Sequence, residues 1–150
     1  MKLHIFEGGY RVPGIVRWPG RSKPGTVCDE PVCNVDLLPT VCAAVGIEPP
    51  KDRALDGASF LPIFDGKHVE RKVPLYWQYD VAISKPWKLS LLRDGWKLIG
   101  DAKESQYLLF NLSADIAEKH DLAKEEPDRV RNLAELLKQR HAEIKSEGSR

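Results

Sequence analysis

Residues 88–101 read KLSLLRDGWKLIGD, and this stretch decides the fold. Two runs of strand length, Lys88–Asp94 and Trp96–Asp101, are rich in Leu, Ile and Trp and meet at Asp94-Gly95. That dipeptide tolerates the positive φ values of a tight hairpin turn. A lone hairpin is marginal in water and needs further strands or a covering element. The neighbouring sequence offers both. VPLYWQY (73–79) precedes the hairpin and QYLLFNL (106–112) follows it, so four runs predict a small antiparallel sheet. Beyond them Pro127 opens PDRVRNLAELLKQRHAEIKSEG. Within it Val130, Leu133, Leu137 and Ile144, with Leu136 beside them, make one apolar stripe amid charge, the pattern of a helix closing over one face of the sheet.

Upstream of residue 67 the character differs. LHIF (3–6) and VPGIVRW (12–18) flank Glu7-Gly8-Gly9-Tyr10-Arg11. This arrangement predicts strand, turn, strand, because paired glycines accept positive φ and Ile, Val, Phe and Trp favour a pleated surface. WPGRSKPG (18–25) is a loop by its own punctuation. NVDLLPTVCAAV (34–45) puts Val35, Leu38, Val41, Cys42 and Val45 at helical spacing, with Gly46 as the stop and Pro39 either opening or kinking the helix. DGASFLPIFDG (56–66) predicts a short helical turn between two Asp-Gly signals. The first two strands have no evident partners in the sequence, which predicts a body of polypeptide ahead of them.

Composition narrows the functional classes. A length of 150 residues with 42% hydrophobic content suffices for one ordinary core. Twenty-three Lys and Arg against 22 Asp and Glu leave a net charge of +1, so no bulk field favours nucleic acid or an acidic membrane. No apolar run reaches the roughly 18–20 residues needed to cross a bilayer, and the opening residues lack a signal-peptide pattern, so the chain is expected to carry no address of its own. Cys28, Cys33 and Cys42 lack the number of a disulfide scaffold and the spacing of a zinc ribbon, and are expected to be buried free thiols.

No catalytic machinery is complete. His4, His68, His120 and His141 have no partner at helical spacing, and neither an H-E-x-x-H, a glycine-rich phosphate loop nor a G-x-S-x-G elbow occurs. What remains are fragments of a site. Lys2 would present an ammonium to an anion, or be a solvated terminal lysine. His4 would share its strand face. Arg11 would clamp an anion or pair with Glu7 to fix the turn. Tyr76, Trp77, Tyr79 and Trp87 would line a carbohydrate or aryl pocket, or build the core of the sheet.

Taken together, Lys-x-x-x-x-Glu-Gly-Gly-x-Arg-x-Pro and a Trp-Pro-Gly loop, then NVDLLPTVCAAVGIEPP, DGASFLPIFDG, LLRDGWKLI and YLLFNLSADIAEKHDLA resemble the C-terminal portion of the sulfatases, arylsulfatase-like enzymes of the alkaline-phosphatase superfamily. The resemblance runs from Lys2 to about Leu137. It implies an α+β architecture: the end of an alkaline-phosphatase-like α/β domain (strand pair plus helix, residues 1–66), then a small subdomain (67–150) in which a four-stranded antiparallel sheet packs against a C-terminal helix. It implies hydrolysis of sulfate esters, with a sulfated small molecule or carbohydrate as substrate, using formylglycine and Ca2+ in the full-length family. It implies a sulfate-contacting role for Lys2 and a structural role for the signature Glu7, Gly8, Gly9, Arg11 and Pro13. The formylglycine motif C-x-P-S-R and the family's metal motifs are missing, so no cofactor is expected in this chain and a missing N-terminal catalytic segment is its expected partner. Asp115-Ile116 stands where the family has Asp-Pro. The family is often periplasmic, secreted or lysosomal. A non-catalytic interaction or dimerisation module, and part of a related phosphoesterase, remain as alternatives.

Overall fold

The computed structural model describes residues 4–80 and 85–147. They fall into two compact units, one made of the residues up to Val12 and those from Tyr76 onward, the other of residues 13–75.

The first unit is built on the expected sheet. Strands β1 (Leu75–Gln78), β2 (Trp87–Arg93), β3 (Trp96–Asp101) and β4 (Tyr107–Asn111) lie side by side in chain order. The β2–β3 hairpin turns at Asp94 and Gly95, with φ of 51° and 78°, the left-handed pair such a turn requires. Leu91 lies opposite Leu98, and Leu98 opposite Leu109. Directly opposed residues share a face. On that side Leu89, Leu91, Leu98 and Leu109 pack against Leu133, Ala134 and Leu137 of the closing helix α3 (Pro127–Glu147). The apolar stripe read in the sequence therefore does what its spacing predicts, and the architecture is α+β.

The other face of the sheet carries Leu92 opposite Lys97, Lys97 opposite Phe110, and Ser90 opposite Ile99. It is covered by the opening segment. Ile5 is fully buried, and Phe6 meets Phe110 edge-on with ring centroids 6.3 Å apart. The strand pair expected around the double glycine is not what the described residues form. Glu7–Tyr10 make a single helical turn, α1, and residues 11–17 have no regular structure. The reason is where the segment lies. Lying on the face of the sheet, it has no strand edge to pair with, and its N–H groups close locally, Gly9 N on Phe6 O at 2.8 Å and Arg11 N on Glu7 O at 2.9 Å.

In the second unit a 3-10 turn at Asn34–Asp36 leads into α2 (Leu37–Val45), which Gly46 ends at a φ of 72°. Pro39 is the third residue of α2, within the first turn, where no intrahelical N–H is required. A second 3-10 helix, Leu61–Asp65, ends at Gly66 in the same left-handed way. The buried side of α2 is Asp36, Thr40 and Cys42. Val35, Leu38, Val41 and Val45, the rest of the apolar stripe, are 42–63% exposed. The cysteines also differ from expectation. Cys42 is buried, but Cys33 is half-buried and Cys28 exposed, because Cys28 lies in an extended stretch outside any packed element.

Candidate functional site

The most heavily charged buried point of the first unit is Lys97. A strand alternates its side chains, so Lys97 points to the same side as Ile99, into the space beneath the opening segment. Its side chain is fully buried, with Nζ 2.9 Å from Glu7 Oε1 and 2.7 Å from Glu118 Oε1. Glu118 Oε2 accepts the Glu7 N–H at 2.6 Å, so one carboxylate grips both the cation and the backbone of the turn. The ammonium also stands 4.5 Å over the Tyr10 ring, and Tyr10 stacks on Trp77 with centroids 4.6 Å apart. Two carboxylates face one cation here. Burial pushes the Glu118 carboxyl above the ordinary carboxylate range, more than Lys97 draws it down. Burial and then the charge of Glu7 drive the Tyr10 hydroxyl far above its usual value.

The glycine signature has a steric cause. A Cβ on Gly9 would lie 2.1 Å from the His4 carbonyl oxygen, which only glycine avoids. Arg11 Nη1 reaches Glu7 Oε2 at 3.4 Å, the pairing that competes with an anion clamp, and Arg11 itself is exposed. Gly8 and Pro13 are exposed positions on either side of this turn.

A second buried node closes the other unit. Asp36 is wholly inaccessible and accepts four donors: Arg71 Nη1 at 2.6 Å, Arg71 Nη2 at 2.7 Å, Cys33 N at 2.7 Å and Ala58 N at 2.9 Å. Thr40 Oγ1 accepts the Phe60 N–H at 3.0 Å. The VDLLPT and DGASF stretches are thus stitched to each other through side chains. Burial raises the Asp36 carboxyl, but Arg71 and the two N–H groups outweigh it and hold it below the usual range.

The residues singled out in the sequence are distributed as follows. Lys2 lies outside the described residues. His4 is half-buried at the start of the tight turn. Tyr76 shares a 2.6 Å hydrogen bond with His141 Nδ1 from α3, and burial, then the charges of Glu104 and Asp80, push its hydroxyl up to about 12. Trp77 is committed to Tyr10. Tyr79 N donates to Lys88 O at 2.7 Å, and Trp87 begins β2 at an irregular step in the ladder. Lys97 and Glu118 escaped the sequence reading, and His141 was noted there only as lacking a partner at helical spacing. The signal for Lys97 was its position: a lysine in register with Ile99 on a buried strand face requires a carboxylate partner.

Among the described residues no group of three or more His, Cys, Asp or Glu could hold a metal ion, and no helix is long and apolar enough to cross a membrane. With C-x-P-S-R also lacking from the sequence, the described residues do not fit a formylglycine and calcium centre.

Comparison with known proteins places this geometry. The family model described as N-sulphoglucosamine sulphohydrolase, C-terminal, matches residues 1–147. A steryl-sulfatase of Rattus norvegicus is 48% identical over 69 residues, 46% of this chain and 12% of that protein. An N-acetylgalactosamine-6-O-sulfatase of Bacteroides thetaiotaomicron is 31% identical over an alignment covering 91% of this chain and 28% of its own length. A solved structure from work on the metabolism of multiple glycosaminoglycans by Bacteroides thetaiotaomicron superposes with a TM-score of 0.63 at 26% identity, covering 92% of this chain and 30% of that one. The chain therefore spans less than a third of each of these relatives. A match over nearly all of its length, with the glycine signature, the hairpin and the closing helix in their expected order, makes the chain a member of the sulfatase family and the counterpart of that family's C-terminal portion.

Proposed function

We propose that the chain is the C-terminal part of an enzyme that hydrolyses sulfate esters of a carbohydrate or small molecule, and that it supplies one group to the chemistry, the ammonium of Lys2. Residues 1–66 would end the catalytic α/β domain and 67–150 would form the small C-terminal subdomain. The observation that carries the reading is the family match over residues 1–147, joined to a lysine two positions ahead of the pinned His4 turn. Formylglycine, when present, supplies the attacking oxygen, and calcium neutralises the sulfate; both belong to polypeptide outside this chain. Lys2 would hold a sulfate oxygen as negative charge grows on it, the kind of fixed cation that contributes about 3–4 kcal/mol to such a step.

Exposed apolar residues support a large catalytic partner segment. Val12, Ile15 and Val27 are 78%, 94% and 89% exposed, and the open stripe of α2 adds to them. Surface of that kind marks an interaction site. Among the aromatics, packing accounts for Tyr76 and Trp77, so Tyr79 and Trp87 are the better candidates to border the substrate, with His4 on the side of Lys2. The test is turnover of 4-nitrocatechol sulfate by the full-length protein that contains this chain. Lys2→Ala should lower kcat/KM by roughly two or more orders of magnitude, and the 150-residue chain alone should give no turnover. Unchanged kinetics in Lys2→Ala, or calcium-dependent turnover by the short chain, would refute the assignment.

A further inference from the structure

We propose that Lys97, Glu7 and Glu118 form a proton-responsive clasp, in which uptake of a proton on Glu118 fastens the turn Glu7–Tyr10 more firmly to the face of the sheet. One ammonium meets two carboxylates here, and all three side chains are buried, Lys97 at 0% and Glu118 at 3% exposure. With both carboxylates ionised the cluster holds one negative charge too many where water does not reach, and a buried charge without its own partner is costly. Arg11, itself exposed, reaches Glu7 Oε2 at 3.4 Å and so lies at the edge of the cluster. Tyr10 from the turn and Ser90 from β2, on the same face of the sheet as Lys97, bring hydroxyls and no positive charge. The surplus is removed by binding a proton.

Glu118 is held in place for this. Its φ is 54°, a left-handed conformation that strains an L residue and persists only where the surroundings impose it. Asp115 imposes it: its carbonyl accepts the Glu118 N–H at 3.1 Å, and its Oδ2 accepts the N–H groups of Lys119 at 2.7 Å and His120 at 2.8 Å. The Glu118 carboxyl is thereby aimed inward, Oε1 on Lys97 and Oε2 on the Glu7 N–H. A proton on Oε1 leaves Oε2 a carbonyl oxygen that still accepts that N–H, so the grip on the backbone survives the loss of charge. Burial, with a smaller contribution from the charge of Glu7, holds this carboxyl above the ordinary range in spite of Lys97. The closed state therefore binds the proton more tightly than an opened one, where a free glutamate titrates near about 4.3. The hold on the turn strengthens as the pH falls through the folded value and is complete at the unfolded one.

The experiment is amide hydrogen exchange of residues 4–10 in the full-length protein that contains this chain, from about pH 8 to about pH 4.5, corrected for the intrinsic pH dependence of exchange. Protection in the parent should rise by more than about two-fold on acidification. Glu118→Gln keeps the volume and an acceptor oxygen but carries no charge at any pH, so its protection should match the parent's acid level and stay level to within about two-fold. A parent whose protection does not rise, or a Glu118→Gln profile that rises in parallel with it, would overturn the proposal. His120, 80% exposed and 3.5 Å from Asp115 Oδ2, is present in both proteins, so any proton it takes up cancels in the comparison. If Glu118→Gln does not fold, Lys97→Met, Glu7→Gln and Glu118→Gln combined take its place, a set that leaves no buried charge unpaired, and the same level profile is expected. The readout is independent of turnover, so its failure and that of the sulfate-ester reading are separate results.

Discussion

Replacing Asp36 with alanine should open the second unit. The side chain is fully buried and takes four donors, two of them from the guanidinium of Arg71, which is itself only 12% exposed. Deleting the carboxylate strands that cation and two backbone N–H groups. Removing one partner of a buried pair costs about 3–5 kcal/mol, a factor of roughly 100 to several thousand in the unfolding constant. Domains hold only about 5–15 kcal/mol in total, so such a loss is a large part of the whole. Asp36→Asn, which keeps the shape and one acceptor, should cost less, about 1.5–3 kcal/mol. Amide hydrogen exchange at Cys33 and Ala58, the two N–H groups that Asp36 accepts, gives a local readout, and thermal melts at neutral pH give the global one. The pH dependence has a fixed sign. The folded carboxyl lies below its unfolded value of about 3.9, so its stabilisation is complete above that pH and is lost as the pH falls through the folded pKa. Stability of the parent should decline more steeply on acidification than that of Asp36→Asn. Alanine exchange rates and melting temperature within error of the parent, or identical acid limbs for parent and Asp36→Asn, would show that the node carries no such weight.

Two further substitutions test close backbone approaches and aromatic packing. A Cβ at Gly57 would sit 2.0 Å from the Val35 carbonyl oxygen and one at Gly9 would meet His4 at 2.1 Å, so Gly57→Ala and Gly9→Ala should each destabilise by about 1–3 kcal/mol or more in urea titration. Parent-like midpoints would mean that the backbone yields easily at these sites. Trp77→Ala should cost about 3–5 kcal/mol because it removes the platform on which Tyr10 stacks, while leaving substrate selectivity of the full-length protein unchanged. A change in the ratio of aryl to carbohydrate sulfate turnover would move Trp77 from the packing to the substrate surface.

The hairpin at Asp94-Gly95, the flanking strands and the closing helix were legible because each rests on local chemistry: a period of two, a period of 3.6, and a turn dipeptide that accepts positive φ. The Gly46 end of α2 was legible for the same reason. Motif order also carried the family, since several weak patterns in one sequence order reinforce one another. The opening segment was misread as strands because β-propensity describes a half-buried pleated surface, and whether a segment meets an edge or a face of a sheet is settled by what it packs on. Lys97 with Glu7 and Glu118, Asp36 with Arg71, and Tyr76 with His141 join positions far apart in the chain, and no local pattern announces which charge will meet which. The sequence by itself determined the elements and the family, because propensity, turn chemistry and motif order are properties of neighbouring residues. Only the tertiary structure decided which charges are buried and what they hold, because desolvation makes a partner obligatory without naming it.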